Sequence, residues 1–200
     1  MRRTPLATHD LALVAVFAAL IAALGAPGSI AVSGLSTPIT LQTLGVMLTG
    51  SVLGSRRAPL ALLTFLALVA AGLPLLAGGR GGWAVVTGPT GGFLLGWLVG
   101  AAVIGWIVEH RPARFGLGWI AMANVVGGIA VVYAFGVPWT AWSATNLSLQ
   151  AAWSASVVFL PGDLMKVAVT TIVAGGLLRG YPAAMPRQHR VDRERNSVAN

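Results

Sequence analysis

From Leu11 to Ser55 the chain reads LALVAVFAALIAALGAPGSIAVSGLSTPITLQTLGVMLTGSVLGS, without one Asp, Glu, Lys, Arg or His. A second run free of those residues extends from Phe115 to Gly162. A helix crosses a bilayer core of about 30 Å with about 20 apolar residues, so each run has room for about two crossings. The composition agrees. Of 200 residues, 56% are hydrophobic and 9% charged, and the mean hydropathy is +0.81. Soluble domains carry roughly 25% charged residues. The expected fold class is therefore an all-α membrane protein.

Working outward from these runs, the hydropathy pattern predicts six transmembrane helices. They lie at about 8–24, 39–53, 58–76, 91–108, 115–135 and 156–178. The second is too short to span upright. It is expected to be broken, partly re-entrant, or placed where the bilayer thins. Arg2, Arg3, the apolar run to Leu24 and Ala26-Pro27-Gly28 would also fit a signal peptide, but the many later segments favour a retained first helix. Residues 1–180 are expected to form a single six-helix membrane domain. Residues 181–200 are polar, charged and aperiodic, the composition of a disordered cytoplasmic tail.

The net charge of +8 gains its meaning from where the charges lie. Arg2 and Arg3 precede the first segment, Arg56 and Arg57 follow the second, and Arg111 and Arg114 follow the fourth. Arg179, Arg187, Arg190, Arg193 and Arg195 follow the sixth. Alternate loops thus hold 11 of the 13 basic residues, which predicts that both termini are cytoplasmic. This is a topology signal and not a nucleic-acid footprint. The opposite loops, 25–38, 77–90 and 136–155, contain one charge, Arg80. The absence of cysteine excludes disulfides, Cys-ligated clusters and thiol catalysis. His9, His110 and His189 are scattered, and no His/Asp/Glu set has metal spacing.

The last basic residue, Lys166, lies three positions after Asp163 in the sixth segment. Pro161 suits a first helical turn, where a carboxylate is favoured, and the i,i+3 spacing puts both charges on one face. Each costs about 2.5–3.5 kcal/mol at mid-bilayer, so such residues are usually paired and functional. The alternative is an ion pair that only locks the helix. Arg80 stands in Ala77-Gly-Gly-Arg-Gly-Gly-Trp83, where glycines permit close backbone approach to a ligand. The alternative is a flexible surface loop with one snorkelling arginine. No Gly-Lys-Ser/Thr follows, so these glycines are not a nucleotide loop, and ATP-driven transport would need other subunits.

Pro38-Ile-Thr-Leu-Gln-Thr-Leu-Gly45 opens the second segment. Gln42 and the threonines offer donors and acceptors for a ligand. For Thr43, and for Asn124 in segment five, ordinary interhelical hydrogen bonding is the favoured reading. Tyr133, Trp139, Trp142 and Trp153 read as interfacial belt residues. Segment one carries small residues at spacing four, including Ala15 and Ala19, which permit close helix approach. Either intramolecular packing or docking to a partner would use them.

Four stretches, taken in order, resemble the BioY family: Pro38-Ile-Thr-Leu-Gln-Thr-Leu-Gly-Val-Met-Leu-Thr-Gly, Gly72-Leu-Pro-Leu-Leu-Ala-Gly-Gly-Arg-Gly-Gly, Gly88-Pro-Thr-Gly-Gly-Phe-Leu-Leu-Gly and Leu160-Pro-Gly-Asp-Leu-Met-Lys. The resemblance implies the biotin-binding S component of an energy-coupling factor (ECF) transporter in the bacterial inner membrane. It implies six helices, an outward-facing biotin pocket, and as partners a transmembrane coupling protein and two cytoplasmic ATPases. It also implies that Ala15 and Ala19 face the coupling protein. The chain would be a transport protein and not an enzyme, with no cofactor and no metal. The residues then have chemically compatible tasks. Lys166 or Arg80 would pair with the biotin carboxylate, Asp163 would accept ureido N–H groups, Gln42 would serve the ureido carbonyl and Trp83 would cover the ring. The rivals are a self-sufficient facilitator, an S component for another small anionic vitamin, and a membrane enzyme using Asp163.

Overall fold

The computed structural model describes residues 7–26, 29–30, 39–110, 116–143 and 147–180. The tail at 181–200 and the arginines at 2, 3, 111 and 114 lie outside that range. Among the described residues the regular elements are helical apart from one two-residue antiparallel pair, β1 (Ser29–Ile30) with β2 (Ile39–Thr40). The helices are α1 (Thr8–Ala23), α2 (Gln42–Ala70), α3 (Trp83–Thr87), α4 (Gly91–Glu109), α5 (Leu117–Asn124), α6 (Val132–Ser143), α7 (Leu149–Val157) and α8 (Leu160–Gly180). A π-helical segment, Val125–Val131, joins α5 to α6. Four stretches are long and apolar enough to cross a membrane: Gln42–Ala70, Gly91–Glu109, Leu117–Ser143 and Leu160–Gly180. The apolar α1 is shorter. The chain is thus a multi-pass helical membrane protein.

Expected segments two and three both fall within α2, which is not straight. A straight helix of its length would measure roughly 43 Å. Yet Gln42 Nε2 donates at 3.0 Å to the carbonyl of Leu75, just past the other end. The reversal is at Gly54, whose φ of 79° and ψ of 179° interrupt the helix. The legs 42–53 and 55–70 therefore run antiparallel. Positive φ is open to glycine at little cost, and α4 packs close against the bend. A Cβ on Gly105 would lie 2.3 Å from the Gly54 carbonyl carbon. Glu109 accepts from the backbone N–H of Ser55 at 2.9 Å and also from its hydroxyl. A carboxylate thereby caps the N-terminus of the second leg. Arg57 pairs with Asp10 of α1 at 3.4 Å beside the same bend.

Three boundaries differ from expectation. The third segment was expected to reach Leu76, but α2 stops at Ala70. Gly72 takes φ of 105°, and Leu73 precedes Pro74, a position that disfavours helix. The fifth was expected to end at Phe135 before a loop over 136–155. Instead helix continues to Ser143, and α7 fills much of the remainder. Pro138 and three nearby tryptophans read as loop and belt residues. Tertiary bonds hold them in helix: Trp139 Nε1 donates to the Gly88 carbonyl at 2.9 Å, and Thr140 Oγ1 to that of Pro89 at 2.9 Å. The sixth was expected to begin at Ser156, which instead lies in α7, with α8 starting at Leu160.

Helix α4 is the centre of the bundle, and its glycines set the packing. Gly92, Gly96 and Gly100 share one face. Cβ atoms there would meet Trp139 Cβ at 2.2 Å, Val132 Cα at 2.9 Å and the Gly127 carbonyl oxygen at 2.4 Å. This small-xxx-small stripe lets α4 lie backbone to backbone against α6 and the π segment. One end of the bundle carries Asp10, Ser55, Arg57 and Glu109. The other carries Arg80, Asp163 and Lys166, as the alternation of basic loops predicts.

A candidate ligand-binding site at one end of the bundle

Helix α8 begins beside α7, and the Asp163 N–H donates to the Phe159 carbonyl at 3.0 Å, so Asp163 sits in the first turn. It is 5% exposed and Lys166 is 8% exposed. Neither charge is left alone. Lys166 Nζ donates to Asp163 Oδ1 at 2.9 Å and to Thr43 Oγ1 at 2.7 Å. The Tyr133 hydroxyl donates to Asp163 Oδ2 at 2.7 Å. Three helices, α2, α6 and α8, thus meet in one polar chain, Thr43–Lys166–Asp163–Tyr133. The phenol ring is itself held edge-on by Phe93 and Trp153, with centroids 6.1 and 6.4 Å away.

This chain of bonds borders a cavity of about 270 Å³. The volume is near the lower limit of ~300–1,000 Å³ usual for small-molecule sites. Apolar side chains such as Phe93, Leu94, Val132 and Phe159 form much of the wall, and Asp163, Lys166, Thr43, Tyr133 and Arg80 converge on it. An apolar wall with a few fixed polar groups is the usual make-up of such a site. Lys166 has three N–H donors, two of which are used within the protein. Each Asp163 oxygen has one donor and retains a lone pair.

Arg80 reaches the cavity from a tight turn. Leu76 and Arg80 exchange both backbone hydrogen bonds, at 3.0 and 3.2 Å. Gly78 and Gly79 supply the positive φ values of 78° and 69° between them. The Arg80 Nε donates to the Ala77 carbonyl at 3.2 Å. Its terminal nitrogens make no hydrogen bond among the described residues, so the fork remains available to an anion.

The other expected site residues fall differently. Gln42 borders the cavity, but the protein uses its amide. Nε2 donates to the carbonyls of Ile21 and Leu75 at 3.3 and 3.0 Å, and Oε1 accepts from the Ala77 N–H at 3.0 Å. It positions the turn that carries Arg80. Trp83 is 67% exposed and does not line the cavity. Ala15 and Ala19 are exposed on α1, away from its buried Val14, Ala18 and Ile21. Asn124 has the structural role expected of it, donating to Ser51 Oγ at 2.9 Å and the Ile120 carbonyl at 2.8 Å.

Two residues have more specific places than the sequence suggested. Tyr133 is buried against Asp163 and is not a belt residue, and Thr43 bonds the one intramembrane lysine. A lone tyrosine within a charge-free run was the available signal for the first. For Thr43 the proximity to Lys166 is purely tertiary.

The family model described as "BioY family" matches residues 1–183. A biotin transporter BioY of Rhizobium etli is 43% identical over 182 residues, covering 88% of this chain and 97% of the relative. A biotin transporter BioY of Rhodobacter capsulatus is 45% identical over 189 residues, with the same 88% and 97% coverage. The crystal structure of an S component for biotin from an ECF-type ABC transporter superposes with a TM-score of 0.79. That match has 28% identity and covers 88% of this chain and 95% of the other.

Proposed function

The chain belongs to the BioY family, and from that premise we propose that it is the substrate-binding membrane subunit of an ECF-type biotin uptake transporter. The observation that carries the reading is the cavity beside Asp163 and Lys166, two buried charges that share bonds yet keep hydrogen-bonding capacity. Biotin presents a cyclic urea, an apolar thioether ring and a carboxylate. The geometry favours one division of labour. Asp163 accepts a ureido N–H, Lys166 gives its third N–H to the ureido oxygen, and Arg80 at the turn pairs with the carboxylate. Gln42 acts indirectly by fixing the turn, and Trp83 takes no part.

The antiparallel legs of α2 support six crossings: α1, the two legs, α4, the α5–π–α6 rod and α8. The arginine count supports a chain with both termini in the cytoplasm of a bacterial cell, lying in the inner membrane with the cavity facing outward. The exposed Ala15 and Ala19 would let a transmembrane coupling protein approach α1 closely. Two cytoplasmic ATPases would supply the energy.

Reconstitution tests the reading against a self-sufficient facilitator. Vesicles holding the chain alone should bind biotin without accumulating it, and accumulation should require the coupling protein, the ATPases and ATP. Ala15→Trp with Ala19→Trp should leave binding intact and abolish accumulation. Uptake by the chain alone would contradict the proposal.

A further inference from the structure

Trp97 lies six residues into α4, and Lys166 six residues into α8. Both helices start at the cavity end. At about 1.5 Å per residue, both side chains stem from about 9 Å below that end. Both border the cavity, as do Gly128 of the π segment and Thr43 of α2. A Cβ on Gly128 would lie 2.7 Å from Met47 Cε.

The indole of Trp97 is anomalous within this chain. Trp97 is 7% exposed, and its Nε1 is buried without an acceptor among the described residues. The two half-buried indoles have backbone partners: Trp119 Nε1 donates to the Ile107 carbonyl at 2.7 Å and Trp139 Nε1 to that of Gly88 at 2.9 Å, while the other four tryptophans are exposed. An orphaned buried N–H is costly and rare, and the hydrocarbon around a membrane bundle offers it no compensation. Phenylalanine would supply an apolar wall without that cost. An N–H kept beside a ligand cavity needs an acceptor that arrives with the ligand.

Lys166, at the same depth, is also a donor, and Asp163 beside it takes donors. An acceptor with two lone pairs, adjoining ring N–H groups, satisfies all three. We propose that Trp97 Nε1 donates to the ureido carbonyl oxygen of the bound ligand, sharing that oxygen with Lys166, and so is a specificity-determining residue for a cyclic urea. The inference rests on the biotin reading above. It makes the deep end of the cavity the urea pocket and leaves the carboxylate to Arg80.

The test compares the full chain with Trp97→Phe, both freed of biotin in detergent. Biotin affinity should fall roughly three- to tenfold in the variant, the worth of one neutral hydrogen bond. Affinity for 2-thiobiotin, whose sulfur is a weak acceptor, should change little, so the preference for biotin narrows by the same factor. In the unaltered chain labelled with ¹⁵N-tryptophan, the indole resonance missing from Trp97→Phe should move downfield as biotin saturates. If the variant fails to fold, that resonance, assigned through Trp97→Tyr, decides alone. Biotin binding with an unmoved resonance, or with equal affinity in Trp97→Phe, overturns the inference and leaves the biotin reading standing. No biotin binding by the unaltered chain overturns both.

Discussion

The Lys166 ammonium donates at 2.7 Å to the hydroxyl of Thr43, which lies 123 residues earlier in the chain. That bond joins the first turns of α8 to the start of α2. With Asp163 and Tyr133 it converts two costly charges into a cross-link between three helices. Because the pair is nearly dry, its members depend on each other for stability as well as for function.

Lys166→Met should therefore destabilise the protein by about 3–5 kcal/mol, the cost of leaving a buried charge without its partner. Asp163→Asn should cost a similar amount by stranding the ammonium. The double variant should recover much of the loss, since no net charge remains to be buried. Thermal unfolding in detergent, followed by tryptophan fluorescence, measures all three. Additive losses would show that the two charges do not support each other.

Arg80 is exposed, and among the described residues its side chain bonds only the Ala77 carbonyl, so replacing it should affect the ligand more than the fold. Arg80→Gln should weaken biotin binding roughly tenfold, the scale of a charge-assisted bond. It should not weaken binding of biotinamide, which lacks the carboxylate. Calorimetric titration with the two ligands checks this. Equal losses for both would remove the carboxylate from Arg80.

The glycine contacts of α4 give a stability contrast. Gly100→Ala would set a Cβ 2.4 Å from the Gly127 carbonyl oxygen, backbone against backbone, and should cost about 1–3 kcal/mol. Gly176→Ala in α8 meets nothing within 4 Å and should be neutral or stabilising by up to about 1 kcal/mol. Unfolding temperatures of the two variants should move in opposite directions or differ clearly in size.

These expectations show which parts of the structure the amino-acid sequence makes legible. Hydropathy and the arginine pattern found the apolar helices and separated the Arg57 end from the Asp163 end, because both signals are local. The spacing of Asp163 and Lys166 foretold their contact, again because one helix turn decides it. The helix boundary at Phe135 was missed because Trp139 and Thr140 are held by carbonyls of residues 88 and 89, which only the tertiary fold brings near. Gln42 looked like a ligand group because its chemistry suits one. Its three backbone partners lie in segments that the sequence places far apart. Tyr133 reads as a belt residue from its sequence position, and burial beside the cavity alone reveals its polar role.

The cavity at Asp163 and Lys166 is proposed to hold biotin. Its most direct measurement is calorimetric titration of the purified, biotin-free chain, alongside Asp163→Asn and Lys166→Ala. Saturable binding of one biotin per chain is expected, weakened at least tenfold in each folded variant. Unchanged affinity in both variants, or no binding by the unaltered chain, would contradict it.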